Sequence, residues 1–263
     1  KAEKISQDFK TTFAARSLMS YLNKFEIETS YGIKAWKRWG NTAEQIIKSN
    51  PYVLCIQGVD LSFSRADAVA AKSDIPADSE CRIKAGITYI LRQNADQGHT
   101  CLPLDSLVKT AVSYLDVDEK LIKKVIEDET EEENLYYYDK HGRRFVMLAD
   151  FYKAEDYIAR RLAIMRQISY DNKIDFSEVI DLEEENNGIQ YEKIQREAIN
   201  LALSKGFLVL TGGPGTGKTT TLNAIISLYQ QQGLNVMICA PTGRAAKRLS
   251  DLTGFDAKTI HRL

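Results

Sequence analysis

The sequence predicts a multidomain α+β fold in which a helical N-terminal region precedes part of an α/β domain. Three observations support this prediction. Apolar residues recur at helical spacing through the first 76 residues, helices followed by a hairpin signal occupy residues 77–150, and helix and strand patterns alternate after Tyr191. With 263 residues, the chain is long enough for two or three domains of roughly 100–200 residues each.

Residues 1–76 are predicted to form a helical, helix-hairpin-helix-like region. The pairs Gly40-Asn41 and Asn50-Pro51 separate short helices, since a proline disfavours helical backbone at the residue before it. Further along, the polar turn at residues 58–63 separates an apolar stretch from a helix around residues 66–71. The expected order is therefore helix, tight turn, helix.

Residues 77–150 are predicted to form a winged-helix-like unit. Three apolar stripes at helical spacing are centred near Ile87, Val108 and Val125, and a short extended segment separates the first two. Two strand-like stretches then flank residues 139–142, which read Asp-Lys-His-Gly and are typical of a β-hairpin turn. Three helices and a terminal hairpin follow the order of elements in a winged helix.

The remaining residues divide into a connection and an α/β unit. Residues 151–188 are predicted to contain a linker helix and then an acidic linker that ends at Gly188. In residues 189–263, strands are predicted at 207–210 and 236–239, with helices before, between and after them. That alternation is typical of the start of a parallel α/β sheet.

The composition is that of an ordinary folded protein. Hydrophobic residues make up 44% of the chain and charged residues 27%, and the formal net charge of −1 gives no sign of nucleic acid binding. The four isolated cysteines favour a reduced, cytoplasmic compartment and argue against a metal site. No apolar run approaches the ~18–20 residues of a membrane span. Because the chain opens on Lys1 without a signal peptide or a methionine, we interpret it as a piece of a longer protein.

Residues 212–219 carry the strongest chemical signal in the chain. They read Gly-Gly-Pro-Gly-Thr-Gly-Lys-Thr and match the pattern G-x-x-x-x-G-K-[ST], with a predicted strand before and a predicted helix after. Glycines let successive backbone N–H groups turn toward an anion, and the helix start adds a positive dipole. An ordinary glycine-rich turn is the alternative, which the complete motif and its flanks disfavour.

We name residues 212–219 the phosphate loop and predict that it binds ATP with Mg²⁺. Lys218 is expected to reach the β- and γ-phosphates, and the Thr219 hydroxyl to ligate Mg²⁺, so these two are the predicted catalytic residues. The predicted nucleotide contacts in and beside the loop are Gly213, Pro214, Gly215, Thr216, Gly217, Lys218, Thr219 and Thr220.

Hydrolysis requires carboxylates in addition to the phosphate loop. One must hold the metal, and a second must orient or deprotonate the attacking water. The acids downstream of Thr219 are Asp251 and Asp256, and neither ends an apolar strand. A weaker match to an acid at the end of an apolar strand, around Asp181, lies upstream of the phosphate loop in the acidic linker. We therefore predict that this chain binds a nucleotide and hydrolyses almost none.

Several segments of the chain resemble RecD/TraA-type superfamily 1 DNA helicases. In the second half they are Gln195-Arg196-Glu197-Ala198, the phosphate loop, residues 240–246 (Ala-Pro-Thr-Gly-Arg-Ala-Ala) and residues 259–263 (Thr-Ile-His-Arg-Leu). In the first half, Asn50-Pro51-Tyr52, Phe63, Ala66-Asp67, Ala70, Arg82, Gly98-His99-Thr100 and Leu102-Pro103 stand in the order found in RecD-like proteins with a long N-terminal extension. The resemblance covers nearly the whole chain.

The resemblance implies an ATP-dependent DNA helicase that acts in repair or recombination and moves 5′ to 3′. Its implied partner is single-stranded DNA or a junction of single- and double-stranded DNA. Residues 189–263 would then be the N-terminal part of the first RecA-like motor domain, with the second motor domain absent from this sequence. Gln195 would read the adenine, since a side-chain amide donates and accepts hydrogen bonds at once. Without the family, a solvated glutamine at a helix start is the simpler interpretation.

The resemblance also implies a DNA-binding surface after the second predicted strand. Pro241, Thr242, Gly243 and Arg244 resemble a motif that touches single-stranded DNA, and Thr259 and His261 resemble a further DNA-proximal motif. Lys247 and Arg248 add positive charge beside Arg244. The alternatives are a solvated basic helix face for these cations and a packed or surface histidine for His261.

Two features depart from the family pattern. Helix-hairpin-helix turns in this family are usually glycine-rich, with free amides that face the DNA backbone, whereas Asp60 and Ser62 occupy the turn here. A carboxylate repels a phosphate, so DNA binding by this turn is not expected. The third helix of the winged-helix-like unit is acidic, with six acids in residues 127–133. We interpret that unit as a scaffold or as a surface for a protein partner.

Two other hypotheses about function stay open. The chain could be part of another P-loop NTPase, such as an AAA-type ATPase, which a downstream sensor arginine would favour. It could also be a non-catalytic DNA-binding or partner-docking module, in which the nucleotide site serves structure alone. Single-strand binding that does not depend on nucleotide would favour the module.

Overall fold

The computed structural model describes residues 2–168 and 176–263, with side chains from residue 12 onward in those ranges. The chain forms two compact units, residues 1–155 and residues 156–263. Within the described ranges, every helix is too short or too polar to cross a membrane. The α+β fold predicted from the sequence is confirmed.

The first unit is mainly helical and carries one small sheet. Its elements are α1 (Ala2–Asn23), α2 (Thr29–Trp39), α3 (Ala43–Ser49), α4 (Phe63–Ala71), α5 (Glu80–Asp96), β1 (Cys101–Pro103), α6 (Leu104–Leu115), α7 (Glu119–Glu131), β2 (Leu135–Lys140), β3 (Arg143–Leu148) and the start of α8 (Ala149–Gln167). One apolar core extends from Leu18 to Leu148 and includes the fully buried Ile83 and Ile122. This core therefore continues across residues 76 and 77, where the sequence pattern changes.

The turn of the helix-hairpin-helix-like region is stabilised by its own acid. A short 3₁₀ helix, Pro51–Cys55, leads into the turn, and α4 follows it. Gly58 and Asp60 both have positive φ, +95° and +64°. The Asp60 carboxylate accepts a hydrogen bond from the Gly58 N–H at 3.0 Å and lies 3.5 Å from the Lys34 ammonium. The Gly58 amide, which would be free in a glycine-rich turn, is therefore satisfied within the chain.

The winged-helix order of elements predicted from the sequence is present in the structure. The helices α5, α6 and α7 precede a hairpin of β2 and β3, and the sheet order is β1-β3-β2 with antiparallel pairing. His141 and Gly142 connect the hairpin with φ of +50° and +73°. Positive φ at both central residues is the type I′ geometry, whose twist matches that of the flanking strands.

A polar network ties α4 to α5 and α6. The Arg82 side chain donates to both carboxylate oxygens of Asp67, at 2.7 and 3.2 Å, and to the Leu115 carbonyl at 2.8 Å. The Tyr52 hydroxyl donates to the same carboxylate at 2.5 Å. Burial alone would raise the pKa of Asp67, but the hydrogen bonds from Arg82 and Tyr52 outweigh it and lower that pKa below its usual value. Residues that carried the family resemblance thus hold the first unit together.

The second unit contains the phosphate loop. Its elements are the rest of α8, then α9 (Ser177–Asn187), α10 (Lys193–Ser204), α11 (Lys218–Gln231), β4 (Ile238–Ala240), α12 (Gly243–Thr253) and β5 (Ala257–Thr259). The strands β4 and β5 pair in parallel, as expected for the start of an α/β sheet. Its core includes Ile180, Ile199, Ala224 and Leu228.

Three local expectations differ from the structure. The acidic stretch interpreted as a linker forms α9, because Ile180 joins the core and the buried Glu183 accepts hydrogen bonds from Asn187 and Gln231. The second predicted strand lies at 238–240, slightly later than expected. Residues 207–210 form no strand, because no described segment pairs with them, and Val209 remains 65% exposed. A strand exists only where another segment pairs with it, and strands of parallel sheets are normally covered on both faces.

Candidate nucleotide-binding site

Two glycines set the path of the phosphate loop. Gly215 and Gly217 have φ of +77° and +76°, a region that side chains with a Cβ rarely adopt. Gly217 is the N-cap of α11, which begins at Lys218. The buried Ala224, Ile225 and Leu228 anchor that helix in the core of the unit. The loop therefore presents backbone N–H groups at the start of a firmly packed helix, where anions bind well.

The Lys218 ammonium lies against the phosphate loop. Its Nζ atom donates to the Gly212 carbonyl at 2.7 Å, contacts the Gly213 carbonyl, and lies 3.4 Å from the Thr216 hydroxyl. The Thr216 hydroxyl in turn donates to the Gly213 carbonyl at 2.9 Å. Within the described ranges Lys218 forms no salt bridge with a carboxylate, so its charge is available to an anion on the loop.

The structure brings Gln195 to the phosphate loop. Gln195 is the third residue of α10 and forms a capping box with Glu192, whose N–H donates to the Gln195 Oε1 atom at 2.8 Å. The other end of the amide points at the loop: a Cβ added to Gly217 would lie 2.1 Å from the Gln195 Nε2 atom. Gln195 is thus half-buried and held by a hydrogen bond. The simpler interpretation, a fully solvated glutamine at a helix start, does not describe it.

The first turn of α11 supplies the remaining predicted contacts. Thr219 and Thr220 are half-buried there, directly after Lys218. The next residue, Thr221, is buried and donates its hydroxyl to the Gly217 carbonyl at 3.1 Å. Thr221 is therefore the threonine of this turn that packs into the protein, and the predicted metal ligand Thr219 remains partly accessible to solvent.

The acids upstream of the loop serve the packing of α9 and α10. Arg196 donates to Asp181 and to Glu184, both at 2.5 Å, and these hydrogen bonds, Asp181 first, raise the pKa of Arg196. Asp181 lies in the middle of α9, away from the end of any strand. No group of three or more potential metal-ligating side chains occurs among the described residues. Asp181, the upstream acid that was considered as a possible catalytic carboxylate, is therefore paired with Arg196.

The residues present fit a nucleotide with its magnesium ion. The loop combines turned glycines, a lysine without a carboxylate partner in the described ranges and a hydroxyl at the second helical position. Bound Mg²⁺ would supply charge stabilisation on the phosphate oxygens. Lys218 would hold the phosphates, Thr219 would contribute one metal ligand, and Gln195 would face the base, as their placement around Gly217 allows.

The predicted DNA contacts converge at one edge of the β4–β5 sheet. Because the strands are parallel and Ala240 pairs with Thr259, the segments that follow both strands leave the sheet side by side. Thr242 caps α12 by accepting a hydrogen bond from the Ala245 N–H at 3.2 Å. Arg244 lies in the first turn of α12 and is exposed. His261 is exposed in a short 3₁₀ helix, Ile260–Arg262. Crevices at the carboxyl ends of strands are common ligand sites in open α/β sheets.

Sequence reasoning missed two features of the site. The capping box of Glu192 and Gln195 was only partly signalled: the glutamine at its third position fits the pattern, but the pattern normally begins with serine or threonine and not with glutamate. The contact between Gln195 and Gly217 had no local signal, since the two residues lie far apart in the chain and meet only through packing of α10 against α11.

These features define a class of protein: a P-loop nucleotide-binding unit preceded by helix-hairpin-helix-like and winged-helix-like elements. Comparisons with protein families agree. The family described as the ATP-dependent RecD2 DNA helicase HHH domain matches residues 11–101, and the family described as an AAA domain matches residues 195–263.

Individual relatives point the same way. The chain is 27% identical over 259 residues to the ATP-dependent RecD2 DNA helicase of Deinococcus radiodurans, which covers 94% of this chain and 36% of that protein. It is 41% identical over 92 residues to the RecBCD enzyme subunit RecD of Mycolicibacterium smegmatis, covering 26% of this chain and 17% of the relative. A shorter match, 43% over 70 residues, links 26% of the chain to 7% of the DNA-binding protein SMUBP-2 of Mus musculus. The chain is therefore similar to RecD-like DNA helicases, and it spans 36% of the RecD2 relative and 17% of the RecD relative.

Proposed function

We propose that this chain is the N-terminal and first-motor portion of an ATP-dependent DNA helicase that moves 5′ to 3′ in DNA repair or recombination. In this role residues 189–263 bind Mg-ATP. Nucleotide binding closes two motor domains over single-stranded DNA, and nucleotide release opens them. The whole-protein activity rests on the RecD-like relatives, of which this chain spans 36% and 17%.

One observation carries the nucleotide-binding part of the proposal. The Lys218 ammonium and the Gln195 amide converge on the phosphate loop from opposite ends of the motif, one through Gly212 and the other at Gly217. A cation at the loop suits phosphate, and an amide suits adenine. A loop that served structure alone would require neither group at that position.

We further propose that the acids needed for hydrolysis are not supplied by this chain. Asp251 lies on the exposed surface of α12, Asp256 is exposed just before β5, and Asp181 is paired with Arg196. None of these described acids follows the end of a strand beside the phosphate loop. The chain therefore binds nucleotide with very slow turnover.

We place the proposed DNA contact of the motor segment at the edge of the sheet where the chain leaves β4 and β5. Pro241, Thr242 and Gly243 bring the start of α12 to that edge, and Arg244 adds an exposed cation without a salt bridge in the described ranges. Thr259 and His261 lie beside it. The acidic helix α7 of the first unit instead suits a basic protein partner, as its exposed Glu127 and Glu131 would repel DNA.

Thermal unfolding with and without Mg-ATP or Mg-ADP tests the nucleotide site. Nucleotide at ~100 times its dissociation constant should stabilise the folded state by ~2.7 kcal/mol. Lys218→Ala should remove most of that shift, since each hydrogen bond to a charged group contributes roughly 1.5–3 kcal/mol. Lys193→Ala, which removes an exposed lysine of the same unit, should keep the full shift.

Two results would count against the proposal. An unchanged nucleotide shift in Lys218→Ala would show that the phosphate loop does not hold the phosphates. Robust DNA-stimulated ATP turnover by the 263-residue chain would show that the catalytic acids lie within it. The second result would leave nucleotide binding intact and would reopen the search for the acids among the residues of this chain.

A further inference from the structure

The hairpin of β2 and β3 sorts its side chains onto two faces. Side chains alternate along a strand. Tyr137 and Val146 lie on the face that packs into the core of the first unit. Tyr138 and Phe145 pair on the opposite face, as do Lys140 and Arg143 at the tip. We call Tyr138, Lys140, Arg143 and Phe145 the outer wing face.

The outer wing face carries two cations that have no acidic partner among the residues that the structure describes. Lys140 and Arg143 pair directly across the strands and are both exposed, and neither forms a salt bridge within the described residues. The one acid of the hairpin, Asp139, points to the other face, where Arg144 binds it at 3.0 and 3.3 Å. Like charges directly opposite each other destabilise a strand pair. This arrangement is therefore suited to an anion that binds both.

Aromatic rings continue the face from its base to its tip. The Tyr136 ring is stacked on Tyr152 of α8, with centroids 4.1 Å apart and planes 5° apart, which fixes the base of the hairpin. Toward the tip, Tyr138 is 47% exposed, and its centroid lies 6.4 Å from that of Phe145. An exposed ring beside two cations is the combination that binds single strands, because bases stack on the ring while the cations hold phosphates.

Three acids on elements next to the hairpin are bound to residues outside the outer wing face. Glu133, after α7, accepts a hydrogen bond from the Tyr136 hydroxyl at 3.5 Å. On α8, Asp150 binds Arg92 at 3.1 Å, and Glu155 accepts a hydrogen bond from Thr100 at 2.6 Å. These three carboxylates therefore have partners other than Lys140 and Arg143.

We propose that the outer wing face binds unpaired nucleotides of DNA, with a base on Tyr138 and backbone phosphates on Lys140 and Arg143. This second contact extends the proposed helicase function, which relies on the edge near Arg244. The proposal gives the first unit a DNA-binding role, although the acidic helix α7 of that unit had suggested that it does not bind DNA. A single strand is favoured over a duplex because stacking on Tyr138 requires a base with a free face.

Fluorescence anisotropy of the 263-residue chain on a labelled oligothymidine, without nucleotide and over a series of salt concentrations, tests the proposal. Lys140→Ala with Arg143→Ala should lower the salt slope of binding by about 1.4, because each phosphate contact on a single strand contributes ~0.7. Tyr138→Ala should weaken binding by roughly tenfold with an unchanged slope. Tyr138→Phe should bind like the parent, since it keeps the ring.

The matched control is Lys123→Ala with Lys124→Ala, which removes the same charge from exposed positions on α7. If this pair lowers the salt slope as much as the wing pair, only net charge matters and the proposal fails. Unchanged binding in the wing variants would overturn it as well. Equal losses on a blunt duplex would assign the wing to paired DNA and overturn the stacking assignment. None of these outcomes bears on the Lys218 experiment, which contains no DNA.

Discussion

Arg82 provides the sharpest test of how the first unit is held together. Its side chain is only 14% exposed and donates to Asp67 twice, to the Ala77 carbonyl at 2.7 Å and to the Leu115 carbonyl at 2.8 Å. Arg82→Met keeps much of the apolar stem but leaves these acceptors without their donor. Breaking a buried pair costs about 3–5 kcal/mol. Since the Asp67 side chain is 30% exposed, water will compensate in part, and we expect a loss of roughly 2–3 kcal/mol.

Thermal and urea unfolding of the chain, followed by circular dichroism, would measure this loss. For a unit of about this size, 1 kcal/mol shifts the melting temperature by about 2–4 °C, so the transition of the first unit should fall by roughly 4–12 °C. Arg92→Met is the matched control. Arg92 also pairs with an aspartate, Asp150, but the two side chains are 43% and 50% exposed. Exposed pairs contribute about 0–1 kcal/mol, so this variant should melt nearly like the parent.

The same network predicts a pH dependence. Because the pKa of Asp67 is lower in the folded chain than its usual value, its carboxylate contributes stability above the unfolded pKa of ~3.9. That contribution is lost as pH falls through the lower, folded pKa. Arg82→Met should therefore reduce the loss of stability between about pH 5 and pH 2. Equal melting temperatures for Arg82→Met and Arg92→Met at neutral pH would refute the reasoning, and so would an unchanged pH dependence.

Two further predictions concern the second unit. Gly217→Ala should abolish the nucleotide-induced thermal shift, because the new Cβ would lie 2.1 Å from the Gln195 Nε2 atom and the φ of +76° is unfavourable for alanine. A thermal shift that persists in this variant would show that Gln195 is not needed for nucleotide binding. Arg244→Ala should lower the salt slope of single-strand binding by ~0.7, as expected for one lost phosphate contact. Replacing Lys123 and Lys124 should leave the slope unchanged, and the opposite pattern would move the proposed DNA contact of the second unit away from α12.

Local chemistry explains what could be predicted about the site. The phosphate loop is eight consecutive residues, so its glycines, lysine and threonine are visible without any knowledge of packing. The structure places Gly215 and Gly217 at positive φ, and α11 starts at Lys218, as the motif predicts. The hairpin around His141 and Gly142 was equally visible, because turn residues stood between two strand-like stretches.

Burial explains what sequence reasoning misjudged. The acidic run around Glu183 looks like a solvated linker, yet Asn187 and Gln231 satisfy that carboxylate inside the unit. A charged residue can be buried when partners hold it, and those partners come from a distant helix. The apolar run at residues 207–210 looked like a strand, but a strand exists only when another segment pairs with it. The residues that satisfy Glu183, and the lack of a pairing segment for residues 207–210, cannot be predicted from the neighbouring sequence.

By itself the sequence determined the α+β class, the order of elements in the winged-helix-like unit and the complete phosphate-loop motif. Each of these depends on periodicity or on neighbouring residues. Tertiary structure alone placed Gln195 against Gly217 and joined Tyr52, Asp67 and Arg82 into one network. It also placed Lys140 and Arg143 on the hairpin face opposite the core, because which face of a hairpin is covered depends on the core beneath it. Contacts between distant residues follow from how helices and strands pack, and that information is spread over the whole chain.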